Sequence, residues 1–208
     1  MLSFLLSNFV SLISLINPLG AIPVFLSLTS GHQKDWIKKQ ILKTSLNVFF
    51  ICLISFLIGD YVLAFFGISI SALKIAGGII IARSGFLLLN SKHKKDLGKK
   101  IQAEAAQKED ISFTPLAMPL LSGPGSISFL INLSLQTNHH TTNMALVIVS
   151  IICVSISIFL VLKLAPAILS YMGQAGLKAM SKIMGFIVLS IGIELIISSA
   201  IEILSKLK

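Results

Sequence analysis

The chain has 208 residues, of which 55% are hydrophobic and only 12% charged, with a mean hydropathy of +0.93 and a formal net charge of +9. So few charges cannot cover a water-soluble surface, so the composition excludes an ordinary soluble domain and points to a multi-pass membrane protein. A nucleic-acid partner is excluded as well, because the lysines cluster in loops between apolar runs and form no basic face interleaved with aromatics.

Six apolar stretches follow one another, each near the ~20 residues needed to cross a hydrocarbon core. The first is expected from about Leu2 to Leu28; Met1 to Leu6 carry no charged n-region or cleavage site, so it reads as a retained span rather than a signal peptide. A basic loop with His32, Lys34, Asp35, Lys38 and Lys39 leads to a second span from about Ile41 to Phe66. Gly67-Ile68-Ser69 links this to a third from about Ile70 to Leu89. The segment 90–112 is the only strongly polar stretch and is expected to be a solvated cytoplasmic linker, with a short helix near Ile101 to Gln107. The fourth span runs from about Phe113 to Gln136, the fifth from Met144 to Met172 and the sixth from Lys178 to Leu204. Cys52 and Cys153 lie in apolar runs without metal-ligand spacing and read as small hydrophobes.

Two spans contain helix-breaking sequences. Asn17-Pro18-Leu19-Gly20-Ala21-Ile22-Pro23 interrupts the first, and Pro119-Leu120-Leu121-Ser122-Gly123-Pro124-Gly125 interrupts the fourth. Proline lacks a backbone donor and clashes with the preceding turn, so regular helix cannot run through either stretch. At membrane depth such backbone is tolerated only where it is buried in protein or lines a cavity.

Lysine placement sets an expected orientation. Lys34, Lys38, Lys39, the linker cluster, Lys178 and Lys182 follow spans one, three and five, whereas the other side carries Lys74, Lys206 and Lys208. The positive-inside rule then puts the first set in the cytoplasm and both termini on the outer side of the membrane. The halves echo each other: Lys74-Ile75-Ala76-Gly77 matches Lys182-Ile183-Met184-Gly185, and Gly20-Ala21-Ile22 matches Gly125-Ser126-Ile127. The expected fold is therefore an all-α membrane protein of six transmembrane helices in two inverted three-helix repeats, 1–89 and 113–208, with helices one and four interrupted at mid-membrane.

The stretches Asn17 to Phe25, Phe66 to Ile70, Lys74 to Ile79, Pro115 to Gly125 and Lys182 to Gly185 closely resemble signatures of the MarC family, multi-pass inner-membrane proteins of bacteria and archaea. The resemblance covers essentially the whole chain. It carries onto Asn17, Pro18, Gly20 and Pro23 in the first motif and onto Gly123, Pro124 and Gly125 in the second. Ser122 departs from the alanine common in relatives, and Arg83 stands where they keep an uncharged residue. The resemblance implies transport of small neutral amino acids such as glycine, serine or alanine.

The physical case for transport rests on helix ends. A half-helix starting near Gly20 or Gly125 directs unsatisfied donors and about half a positive charge toward the midplane. The carbonyls freed before Asn17 and Ser122 could accept from an ammonium or coordinate a cation, so paired ends suit a zwitterion. The candidate substrate-binding residues are Asn17, Pro18, Gly20, Ser122, Gly123, Pro124, Gly125 and Ser126, with Ser128 as a further donor. Glu194, well inside the sixth span, is the candidate for proton or cation coupling; a buried acid paired with a lysine or a backbone donor is the structural alternative. Asp60, Arg83 and Lys163 lie near span ends and read as interfacial, and Gly77, Gly78 and Gly185 as packing contacts. His139 and His140 sit on an outer turn without further ligands, so no metal site is expected.

No paired carboxylate, convergent Ser/His/Asp set, phosphate loop or Cys/His cluster suggests an enzyme, and no cofactor is implied. The leading expectation is a secondary transporter working by alternating access. The alternatives are a non-transporting membrane scaffold or assembly partner, with the breaks serving packing, and a small-solute channel. The expected partners are the lipid bilayer, a small neutral amino acid and a coupling proton or cation. A homo-oligomer is compatible with so small a bundle, though no sequence feature requires one.

Overall fold

The computed structural model describes residues 1–67, 69–90, 110–137 and 141–205, except the side chains of residues 60, 62–64, 66, 70, 202 and 205. The expected linker helix, the linker lysines, the Asp60 side chain, His139, His140, Lys206 and Lys208 lie outside these. All regular structure among the described residues is helical. Among the described residues five helical stretches are long and apolar enough to cross a membrane, or six where the bent pair Ser112–Leu121 and Pro124–Thr137 counts as one span.

Helix α1 (Leu2–Ile16) and α2 (Pro18–Thr29) together form one 28-residue span. Between them Asn17 takes the left-handed conformation, φ 46° and ψ 62°. Asparagine tolerates this region better than other residues with a β-carbon, because its short amide can bond locally. Its Oδ1 accepts the Gly20 N–H at 3.1 Å, while its own N–H donates to the Ile13 carbonyl at 2.9 Å. Pro18 opens α2, where its missing N–H costs nothing. Helix α3 (Lys34–Phe66) crosses next, and α4 (Ile70–Leu89) starts at Ser69, whose hydroxyl accepts the Ala72 N–H at 3.2 Å.

The second break is built differently. Segment α5 (Ser112–Leu121) is wound wider than an α-helix: the Leu116 N–H donates to the Ile111 carbonyl at 3.2 Å, and the Ser122 N–H to Ala117 at 2.7 Å. Thr114 and Met118 are extended, at φ −116°, ψ 118° and φ −129°, ψ 126°. Both precede a proline, which disfavours helical backbone in its predecessor, and both peptide bonds to Pro115 and Pro119 are cis. Helix α6 (Pro124–Thr137) then leaves at 70° to α5. Helix α7 (Thr141–Lys163) follows, and α8 (Ala165–Ser205) is divided at Gly173, whose φ of 64° suits glycine.

The most extensive helix contact is between α4 and α8. A β-carbon on Gly78 would lie 2.7 Å from the Gly192 carbonyl, and one on Gly85 would lie 2.7 Å from the Gly185 carbonyl. Residues 78 and 85 on one helix thus oppose 192 and 185 on the other, giving an antiparallel, backbone-to-backbone seam. This is the packing expected of Gly78 and Gly185, and it adds Gly85 and Gly192. Gly77 faces away from the seam toward Ser128 of α6, whose Cβ a new side chain would meet at 3.2 Å. Elsewhere Phe25, Phe56, Leu116, Leu130, Ile151 and Ile158 fill a core shared by α2, α3, α5, α6 and α7. Serines within the spans mostly return their hydroxyls to their own helix, as Ser14 does to Val10 at 2.6 Å and Ser157 to Cys153 at 2.8 Å.

A polar clasp fixes the start of α5 to α3. Asp110 pairs with Lys43 and accepts the Ser112 N–H at 2.9 Å and hydroxyl at 2.6 Å, while Asn47 Nδ2 donates to Ser112 Oγ at 3.3 Å. Partial burial works to raise the Asp110 pKa, but hydrogen bonds from Lys43 and Ser112 and the lysine charge outweigh it and hold the carboxyl at about 2. The stabilisation is therefore present above the ordinary carboxylate pKa of about 4 and is lost as pH falls toward 2. Both side chains are nearly half exposed, which limits the pair to about 1 kcal/mol. Lys43→Met is expected to lower the melting temperature of purified protein slightly at pH 7. The difference from wild type should shrink between pH 4 and pH 2; a pH-independent difference would show that the lysine contributes by packing instead.

Candidate functional site

The two breaks approach each other. A β-carbon on Gly125, at the start of α6, would lie 3.7 Å from Leu15 of α1 and 3.4 Å from the Ser84 hydroxyl of α4. Much of the polarity freed by the breaks is consumed locally. The Gly20 N–H is capped by Asn17, and Ser126 bonds back to the Gly123 carbonyl through its N–H at 3.1 Å and its hydroxyl at 2.9 Å. Pro18, Gly20 and Gly125 are buried, Gly123 is partly exposed and Pro124 is exposed. Two polar groups remain under-satisfied at the breaks. Asn17 is 5% exposed with no partner for Nδ2, and Ser122 is fully buried with only the weak thiol of Cys52 facing its hydroxyl.

The cavity lies beside the breaks, between α1, α6 and α8, and has a volume of about 520 Å³. Leu15 meets Gly125 at the level of the breaks, and from there residues 11 to 4 of α1 and 129 to 136 of α6 run antiparallel along its walls. Helix α1 contributes Ser7, Asn8 and Ser11, α6 contributes Asn132 and Gln136, and α8 contributes Ser190 and Glu194. Phe4, Phe129, Leu133, Ile191 and Leu195 complete the lining. Asn8 is 5% exposed with Nδ2 unpartnered, and Asn132 is 3% exposed with Oδ1 unpartnered. An amide atom buried without a partner costs about 1–3 kcal/mol, so two such residues in the lining of one cavity mark a place where something polar belongs.

Glu194 is exposed to this cavity rather than buried, and it makes no ion pair or hydrogen bond among the described residues. The structure thus separates the sequence-derived candidates. Glu194 joins a polar cavity, whereas the eight break residues lie outside its lining. Asn8, Asn132 and Gln136 were not among the candidates. The available signal was spacing: Ser7 and Ser11, Asn132 and Gln136, and Ser190 and Glu194 are three i, i+4 polar pairs within apolar helices, each confined to one helix face.

Apolar spans, interrupted helices packed around a polar cavity and a carboxylate within a span together define a multi-pass integral membrane protein. Comparison with known proteins places it more closely. Residues 2–204 match the model of the MarC family integral membrane proteins. A UPF0056 membrane protein of Buchnera aphidicola is 35% identical over 199 residues, covering 92% of this chain and 89% of the relative. The UPF0056 membrane protein YhcE of Escherichia coli is 34% identical over 192 residues, covering 91% and 88%. The UPF0056 inner membrane protein MarC of Citrobacter koseri is 34% identical over 206 residues, covering 94% and 93%. The chain belongs to the MarC family. No solved structure matches it.

Proposed function

We propose that the chain is a secondary transporter of small neutral amino acids, in which two inverted three-helix halves alternate access across a bacterial inner membrane. The observation that carries this is the meeting of two interrupted spans beside a polar cavity, with Asn17 Nδ2 and Ser122 Oγ under-satisfied at the breaks. An inverted arrangement is supported by reciprocal packing between the halves: α1 lies on α7 as α5 lies on α3, and α2 lies on α8 as α6 lies on α4. In this scheme the break residues Asn17, Pro18, Gly20 and Ser122 to Ser126 bound the binding region, and the helix starts at Pro18 and Pro124 direct their positive ends into it.

Uptake of radiolabelled glycine and alanine into sealed vesicles tests the proposal. Saturable uptake with countertransport is expected, and Pro18→Ala and Gly123→Val are expected to reduce it at least tenfold while inserting normally. Wild-type rates in both variants would remove the breaks from the mechanism. Flux without saturation or countertransport would indicate a channel, and no flux with any neutral amino acid would leave a scaffold.

A further inference from the structure

We propose that the cavity between α1, α6 and α8 binds a monovalent cationic group, an ammonium or an alkali ion, through the Glu194 carboxylate and the Asn132 side-chain carbonyl. A carboxylate within an apolar span is costly unless it pairs with a positive charge or faces a hydrated cavity. Neither lysine nor arginine lines the cavity, and Glu194 has no ion pair among the described residues. The lining therefore holds one carboxyl group and no basic side chain beside it. Its remaining polar groups are oxygen-rich, with Asn132 Oδ1 unpartnered and the Ser7 and Ser11 hydroxyls on the facing helix. Hard oxygens around a single carboxylate suit a small monovalent cation, whereas a soft or multivalent metal would call for thiolate, imidazole or several carboxylates.

The volume also fits. About 520 Å³ admits a small amine or an ion with several waters, at about 30 Å³ per water. Asn8 separates the two sources of positive charge. Its unpartnered Nδ2 is a donor, of no use to a bare alkali ion but well suited to the carboxylate that accompanies the ammonium of an amino acid.

This site does not depend on the transport proposal, because binding can be read without flux. Thermal stabilisation of the purified protein would be titrated with sodium chloride against choline chloride at constant ionic strength, and separately with methylammonium chloride and glycine. A bound ligand raises the melting temperature in proportion to the logarithm of its concentration over Kd. At least one probe is expected to stabilise wild type, with affinity at least tenfold weaker in Glu194→Gln and Asn132→Leu. Ser157→Ala on α7, outside the cavity, should respond like wild type. Helical circular dichroism and a single elution peak check folding, and Asn132→Thr replaces the leucine variant if that one misfolds.

Asn8→Leu then identifies the source. Weakened glycine binding with unchanged methylammonium binding assigns the charge to an amino acid, and an unchanged response to sodium alone assigns it to an ion. No response of wild type to any of the three probes, or an undiminished response in Glu194→Gln, overturns the site. Binding without vesicle transport would end the transport proposal and leave this one standing.

Discussion

Gly192→Val is expected to be the most damaging single substitution in the protein. A β-carbon at residue 192 would collide with the backbone of Ala82, and one at 85 with the backbone of Leu189. Backbone cannot move aside as a flexible side chain can, so α4 and α8 must separate along their length. Overpacking costs about 1–3 kcal/mol even where side chains can adjust, and here the whole seam would also lose its close contact. We expect Gly192→Val and Gly85→Val to abolish a folded elution peak or lower the melting temperature by more than ten degrees. Gly77→Ala is the contrast. It meets only the Ser128 side chain at 3.2 Å, and alanine regains up to about 1 kcal/mol of helix propensity, so a change of a few degrees at most is expected. Equal losses from residues 77 and 192 would show that small-residue content matters rather than the seam.

The second large effect is expected at Asn17, where a pair of substitutions separates backbone from side chain. Asn17→Val removes the cap on the Gly20 N–H, worth about 0.5–2 kcal/mol, and puts a β-branched residue at φ 46°, which costs about a further 1–2 kcal/mol. A total loss of about 1.5–4 kcal/mol is expected by these principles, measured as a shift in denaturation midpoint. Asn17→Gly keeps the left-handed geometry and should cost only a few tenths of a kcal/mol by loss of the cap. If Asn17 Nδ2 also contacts substrate, the glycine variant should stay folded while transport falls severalfold. Full transport in a stable Asn17→Gly would confine the residue to shaping the break.

Some of this was legible in the sequence and some was not, for identifiable reasons. Hydrophobic runs marked the spans because a bilayer demands some twenty apolar residues whatever the fold around them, and the proline motifs marked both breaks because proline acts locally. The difference between the breaks was hidden: Asn17 turns the chain within a continuous span, whereas Pro115 and Pro119 extend their predecessors and α6 departs at 70°. Helix α8 begins at Ala165, inside the stretch expected as the fifth span, and is divided at Gly173, immediately after the expected end of that span at Met172. Glycine in an apolar run carries no hydropathy signal. The cavity was hidden because Asn8, Asn132 and Glu194 belong to three distant helices, and their convergence depends on tertiary packing. Only Glu194 stood out alone, since an acid within a span is conspicuous without any partner.

The α4–α8 seam has a mechanical consequence. Two helices in backbone contact through glycines at 78, 85, 185 and 192 leave no side-chain layer to shear, so they are expected to move as one body. In the transport cycle proposed above, widening of the cavity would then fall to α1 and α6, the shorter arms adjoining the breaks, moving against Ser190 and Glu194 on α8. A crosslink fastening α4 to α8 should accordingly leave the cavity able to open and close, while one fastening α1 to α6 should freeze it.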